Sequence, residues 1–314
     1  MRLRAPLPTE AAYDVVGFGL NAVDHLCRVP HFPTFDSKLE MDGYDCHPGG
    51  QVATTLVALA RWGLRTTYLG AFGDDAPGKQ VRRALIDAGV GVNDAFVRVG
   101  TRNQLAVILI DAASGERTVL WHRDGGLAVR ADELDRTRVC AGRALHLDGY
   151  DRAAAIRAAR WARAAGIVTV IDLDRAGEQV HELLASVDIA VVSREAAAQL
   201  TGSQDPEAVL PMLESCGCLL AGVTLGRDGV VARVEGRTVR MPGFRVQTVD
   251  TTGAGDVFHA GLIHGVLADW EPEAILQFAN AAAALQCTGL GAQTAVPSLE
   301  RIRSLLAAGG PPSG

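Results

Sequence analysis

No stretch of the sequence approaches the roughly 18 uncharged apolar residues that cross a bilayer, and the opening segment 1–12 lacks the apolar core of a signal peptide. A cytoplasmic setting without membrane contact is the expectation. Basic blocks are also missing. The 30 Lys and Arg are outnumbered by 36 Asp and Glu, giving a formal charge of −6, which disfavours a nucleic-acid partner whose phosphates demand clustered cations. Cysteines number six, and their one close pair, Cys216 and Cys218, has neither redox nor zinc-finger spacing. Reduced structural thiols are expected. Aromatic residues make up 5% of the chain, which argues mildly against a stacked nucleobase, although a single Phe or Trp suffices as a platform. What remains plentiful is apolar: 48% of 314 residues, enough for one large core. A small ligand is the favoured partner.

Short apolar runs rich in β-branched residues, at 13–16, 107–110, 167–171 and 189–192, read as strands. Ala-rich stretches with helical spacing lie between several of them, at 51–62, 79–88, 152–165 and 194–200. This alternation predicts an α/β fold with a mostly parallel central sheet. Two regions break the rhythm. Segment 27–46 carries Pro30 and Pro33 without a helical period, and 104–111 and 116–123 flank Ala112-Ala113-Ser114-Gly115 as strands flank a hairpin turn. Together they predict a small inserted β lid. The core is then expected over 13–26, 47–100 and 124–305, the lid over 27–46 and 101–123, and loose ends at 1–12 and 306–314.

Three glycine motifs compete for phosphate binding. Gly17-Phe18-Gly19-Leu20-Asn21-Ala22 fits the dinucleotide pattern G-x-G-x-x-A, but that reading needs a following helix to hold a pyrophosphate, and 23–35 has none. Gly73 to Lys79 approaches the Walker A spacing, yet Gln80 replaces the magnesium-binding hydroxyl and Asp74 and Asp75 would repel phosphates. A strand-to-helix turn capped by Asp74 or Asp75 is expected there. The third motif, Asp250-Thr251-Thr252-Gly253-Ala254-Gly255-Asp256, runs into apolar helical spacing over 257–267. Small residues at a helix start allow backbone N–H groups to approach an anion, and Asp256 is placed to accept a proton from a hydroxyl beside it. The plainer alternative is a helix cap with a tight turn.

The string Asp250 to Asp256 resembles the signature of the ribokinase (PfkB) carbohydrate kinase family. Gly49-Gly50 and the helix to Trp62-Gly63 resemble its N-terminal substrate motif, Asp24 matches its hydroxyl-binding acid, 224–229 resembles its nucleotide loop, and 278–297 resembles the segment around its adenine. The resemblance covers about residues 13–305. It implies a ribokinase-like three-layer core with a β lid, and an ATP-dependent kinase of sugars or sugar derivatives using Mg2+ and K+. Asp256 would be the base and Gly253, Ala254 and Gly255 the anion hole. Asp24, Gly49, Gly50 and Thr54 would hold the substrate, and Ser193, Thr224, Gly226, Gly229 and Asn280 the nucleotide. Asp250 and Thr252 would hold the monovalent cation.

Departures from the family pattern are informative. Thr54 stands where many members carry a sugar-binding Asn. The usual N-x-x-E is represented by Ser193 and Ala196, with Glu195 one residue, hence about 100° of helix, out of place. Asp172 and Asp174 either compensate or form a polar strand end. Arg123 resembles the arginine with which sugar-acid kinases grip a carboxylate, although a salt-bridged surface role is the plainer reading, and His47 is either a pocket or a loop residue. The alternatives are a nucleoside kinase of the same fold and a non-catalytic binding descendant. The sequence alone sets no oligomeric state, and an exposed β lid could pair edge to edge into a homodimer.

Overall fold

The computed structural model describes residue 1 and residues 3–309. In chain order its strands are β1 (Tyr13–Phe18), β2 (Ala22–Val29), β3 (Gly43–Gly49), β4 (Thr66–Tyr68), β5 (Ala71–Gly73), β6 (Phe96–Arg98), β7 (Leu105–Asp111), β8 (Arg117–His122), β9 (Gly142–Leu147), β10 (Val168–Leu173), β11 (Ile189–Ser193), β12 (Leu220–Thr224), β13 (Val230–Val234) and β14 (Arg237–Met241). The α-helices are α1 (Gln51–Arg61), α2 (Ala76–Asp87), α3 (Arg136–Val139), α4 (Arg152–Ala164), α5 (Val180–Leu184), α6 (Arg194–Thr201), α7 (Leu210–Ser215), α8 (Ala254–Leu267), α9 (Pro272–Gln286) and α10 (Leu299–Ala307).

Eight strands form the main sheet in the order β14-β13-β12-β11-β10-β9-β1-β4. Pairing is parallel from β12 to β4 and antiparallel through the β12–β13–β14 edge. The central strands are largely apolar because both faces are covered, with His146 on β9 and Thr169 and Asp172 on β10 as buried polar exceptions. Val15, Val170 and Val191 enter a cluster with α1, α8 and α9, whereas Val16, Ile171 and Val192 enter a second cluster with α4, α5 and α6. These are the three expected layers.

The lid is a second sheet, ordered β3-β2-β7-β8. It begins at Ala22 and its first half ends at Gly49, so it is larger than the 27–46 expected. The glycine motif at 17–22 therefore leads into a strand, not a helix. At 73–80 the turn expectation also agrees with the structure: Asp75 caps α2 by accepting the Gly78 N–H at 2.9 Å. The N-terminal segment has tertiary contacts despite its composition. Arg4 Nε donates to Asp188 at 2.7 Å, and Leu3 and Leu7 pack on the core. Of the end expected to be loose, 306 and 307 close α10, and 310–314 lie outside the described residues. No helix among the described residues is long and apolar enough to cross a membrane.

Candidate active site

The Asp250–Asp256 string turns sharply into α8. Gly253, at φ 79°, supplies the left-handed residue, and a Cβ there would lie 2.8 Å from the Ala292 backbone, so no side chain fits. Ala254 N–H donates to Thr251 O at 3.3 Å. The amides of Gly255 and Asp256 follow in the first turn, ahead of the first intrahelical acceptors, and Gly255 borders open space. Amides so placed are free to receive an anion.

Asp256, the third residue of α8, lies among acids. Burial, followed by the charges of Asp172 and Asp174, pushes its carboxyl well above the usual range, against the pull of Arg117. Asp172 and Asp174 are raised by burial in the same way. Gln51 Nε2 donates to Asp174 at 2.8 Å. Thr55 Oγ1 donates to the Asp256 carbonyl at 3.0 Å and so ties α1 to the start of α8. Asp24 is buried in β2, which moves its pKa up to about 7, and it too is influenced by Arg117 and Asp250.

Arg117 is the site residue that the sequence reading missed. It reaches from lid strand β8 to Thr251, donating to the carbonyl at 2.8 Å and to Oγ1 at 2.6 Å. Together with Glu116, Val119, Glu195 and Thr251 it lines an open cleft of about 520 Å³. The signal was strand alternation: residues 117, 119 and 121 share one face of β8. Glu195 was read as displaced from its role, yet it borders this cleft, while Ala196 is buried and Ser193 Oγ caps α6 by accepting Ala196 N–H at 3.1 Å.

Other expected positions divide. Gly49 and Gly50 lie beside Asp24 and Asn21, close enough that a side chain at either would collide with them. Ser193 and Thr224 are register partners across β11–β12, next to the loop containing Gly226 and Gly229. Thr54 is fully buried in α1, its hydroxyl unpartnered, away from any open surface. Asn280 directs its amide inward, to Met241 O at 3.0 Å and Pro242 O at 3.2 Å. Arg123 pairs with Asp151 at 2.9 Å and donates to Leu127 O at 3.1 Å, so its guanidinium is committed inside the fold. The salt-bridged alternative is the one observed. His47 is a register partner of Asp24.

The residues expected to hold a potassium ion do not fit one. Asp250 Oδ1 accepts the Thr252 N–H at 2.8 Å and its hydroxyl at 2.6 Å, and Oδ2 accepts Gly291 N–H at 2.9 Å. The Thr252 carbonyl is taken by Gln286 Nε2 at 3.0 Å. The oxygens that would ligate the ion already have internal donors.

A family model described as pfkB family carbohydrate kinase matches residues 13–299. The chain belongs to this family. Among its relatives, the ribokinase of Haemophilus influenzae is 26% identical over 299 residues, covering 90% of this chain and 95% of that protein. The aminoimidazole riboside kinase of Salmonella typhimurium is 31% identical, covering 82% and 88%. The solved Arabidopsis thaliana ribokinase, complexed with ribose and ATP, superposes with a TM-score of 0.79 over 94% of this chain and 99% of its own, at 24% identity. The fold is ribokinase-like, and the chain is a PfkB-type phosphotransferase.

Proposed function

We propose that this PfkB kinase transfers the γ-phosphoryl group of ATP to a hydroxyl of a sugar or sugar derivative, with Asp256 as the base. The observation that supports this most directly is the position of Asp256 in the first turn of α8, beside amides that have no intrahelical acceptor. The acceptor O–H would give its proton to Asp256, the oxygen would form the new bond to phosphorus, and the bond to the β-phosphate oxygen would break, releasing ADP. The Gly253, Ala254 and Gly255 backbone would receive the charge on the transferring group. Arg117 would add a cation delivered by the lid, and closing the lid would keep water from competing as acceptor. Asp24, Gly49 and Gly50 would hold acceptor hydroxyls. Ser193, Thr224, Gly226 and Gly229 would border the nucleotide. Asp174 and Glu195 are the oxygen donors suited to Mg2+, which neutralises phosphate charge. No cage of three protein ligands occurs among the described residues, in keeping with an ion carried chiefly by phosphates and water.

A riboside acceptor is the second reading, favoured by Trp121. Lid register aligns Asp24, Ala106 and Trp121 in one row, so the indole shares a face with the hydroxyl-binding acid. It meets Tyr150 edge to face at 5.8 Å, and the Arg175 guanidinium lies 5.5 Å from its ring. A planar aglycone would find a platform there.

The test is coupled ADP release with Mg-ATP against neutral sugars, sugar acids, sugar phosphates and ribosides. Acceptor-dependent release is expected, and Asp256→Asn should lower kcat by about 10²- to 10⁴-fold while ATP affinity stays within about twofold. Near-normal turnover in that variant would overturn the mechanism.

A further inference from the structure

We propose that Gln286 occupies the place of the monovalent cation and that the enzyme consequently works without one. Gln286 ends α9 and is fully buried. Its Nε2 lies 3.0 Å from Thr252 O, 3.1 Å from Gly291 O and 2.9 Å from Ala292 O. Three carbonyls from two separate loops thus converge on one nitrogen. Convergent carbonyl oxygens are the usual environment of a desolvated alkali ion, and the point within reach of all three is filled by the amide. The orientation of the side chain is forced. Turned over, its oxygen would face three other oxygens, whereas in the present orientation only Oε1 lacks a partner.

This amide is connected to the anion hole through a single peptide unit. The Thr252 carbonyl and the Gly253 N–H belong to the same plane, so holding the oxygen fixes the direction of the amide opposite it. Asp250 completes the arrangement, bridging Thr252 N–H at 2.8 Å and Gly291 N–H at 2.9 Å. Gly253 in turn abuts Ala292. Loops 250–253 and 291–292 are therefore joined by one carboxylate and one carboxamide. A cation would do the same work electrostatically, but its entry would require the buried side chain to leave.

Thermal melting and ADP release, each in potassium chloride and in tetramethylammonium chloride at equal ionic strength, test the assignment. For the native chain we expect melting temperatures within about 1 °C and rates within about twofold between the two salts. A native protein that potassium stabilises or accelerates several-fold overturns the proposal. Gln286→Ala, which vacates the point, should melt lower in tetramethylammonium and recover in potassium; indifference of this variant to both the substitution and the salt also overturns it. The proposal rests on the kinase reading only for its rate measurement. If no acceptor is phosphorylated, melting of the native chain still decides, and should Gln286→Ala fail to fold, the native comparison of salts stands by itself.

Discussion

Asp24 places an ionisable carboxyl inside the lid, and burial raises its pKa to about 7 from the ordinary carboxylate value of 3.8. Between those values the folded protein holds a proton that the unfolded chain has released. The contribution to stability is therefore full below about pH 4 and is lost as pH rises through 7. Asp24→Asn removes the cost of a buried charge, roughly 2–4 kcal/mol. The variant should melt about 4–8 °C above the native chain at pH 8 and show no gain at pH 4, with weakened acceptor binding. Differential scanning calorimetry at both pH values checks this. A gain of equal size at both would assign the effect to something other than titration. At this scale the sequence conveyed what is local. Asp250 to Asp256 was legible because its chemistry lies within seven adjacent residues. Arg117 was not, since the group it binds is 134 residues away. Gln286 was not singled out, because the carbonyls it serves come from two loops that only the fold brings together. Arg123 had suitable chemistry at a motif position, but its ion pair with Asp151 commits the guanidinium elsewhere.

Among the elements, α8 and α9 form the closest helix pair. A Cβ on Gly261 would lie 2.7 Å from Ala279 Cα, so α9 approaches to backbone distance and fixes the tilt of the helix that begins with the anion hole. Gly261→Val should cost at least about 1–3 kcal/mol by overpacking, lowering the melting temperature by roughly 2–6 °C, and should reduce kcat because the start of α8 shifts. Gly125→Ala serves as the control. An added Cβ there meets nothing within 4 Å, and melting should stay within about 1 °C. Of the main sheet, β1, β10 and β11 were legible as the apolar runs 13–16, 167–171 and 189–192, since two covered faces favour apolar residues, whereas β9, with Arg143 and His146, and the arginine-bearing β13 and β14 gave no such run. The lid boundaries were harder. β2 starts with buried Ala22 and Val23 directly after β1, and no change of composition marks where one sheet gives way to the other.

Across the whole molecule, the lid has two unlike faces. Arg117, Val119 and Trp121 point to the cleft. The opposite face carries His25, Tyr44, Val107, Leu109 and Leu120 by register, with Tyr44 and Leu120 each 55% exposed. An apolar face of this kind favours a second copy as its cover. The native chain is expected to sediment as a dimer at micromolar concentration, and Leu120→Glu as a monomer with unchanged melting of the core. A native monomer would show that the face has another purpose.

The order of the main sheet also governs how the molecule is made. β1 leaves the ribosome first, but its neighbour β9 ends at Leu147, and α1 packs against α8, which is complete only at Leu267. The first α/β unit thus waits, its apolar face uncovered, while some two hundred further residues are synthesised, a delay of roughly 10–40 s at ordinary elongation rates. The helix proposed to carry out phosphoryl transfer is also the one that covers α1, so a chain interrupted before α8 leaves that face open and offers a clear mark for chaperones and proteases.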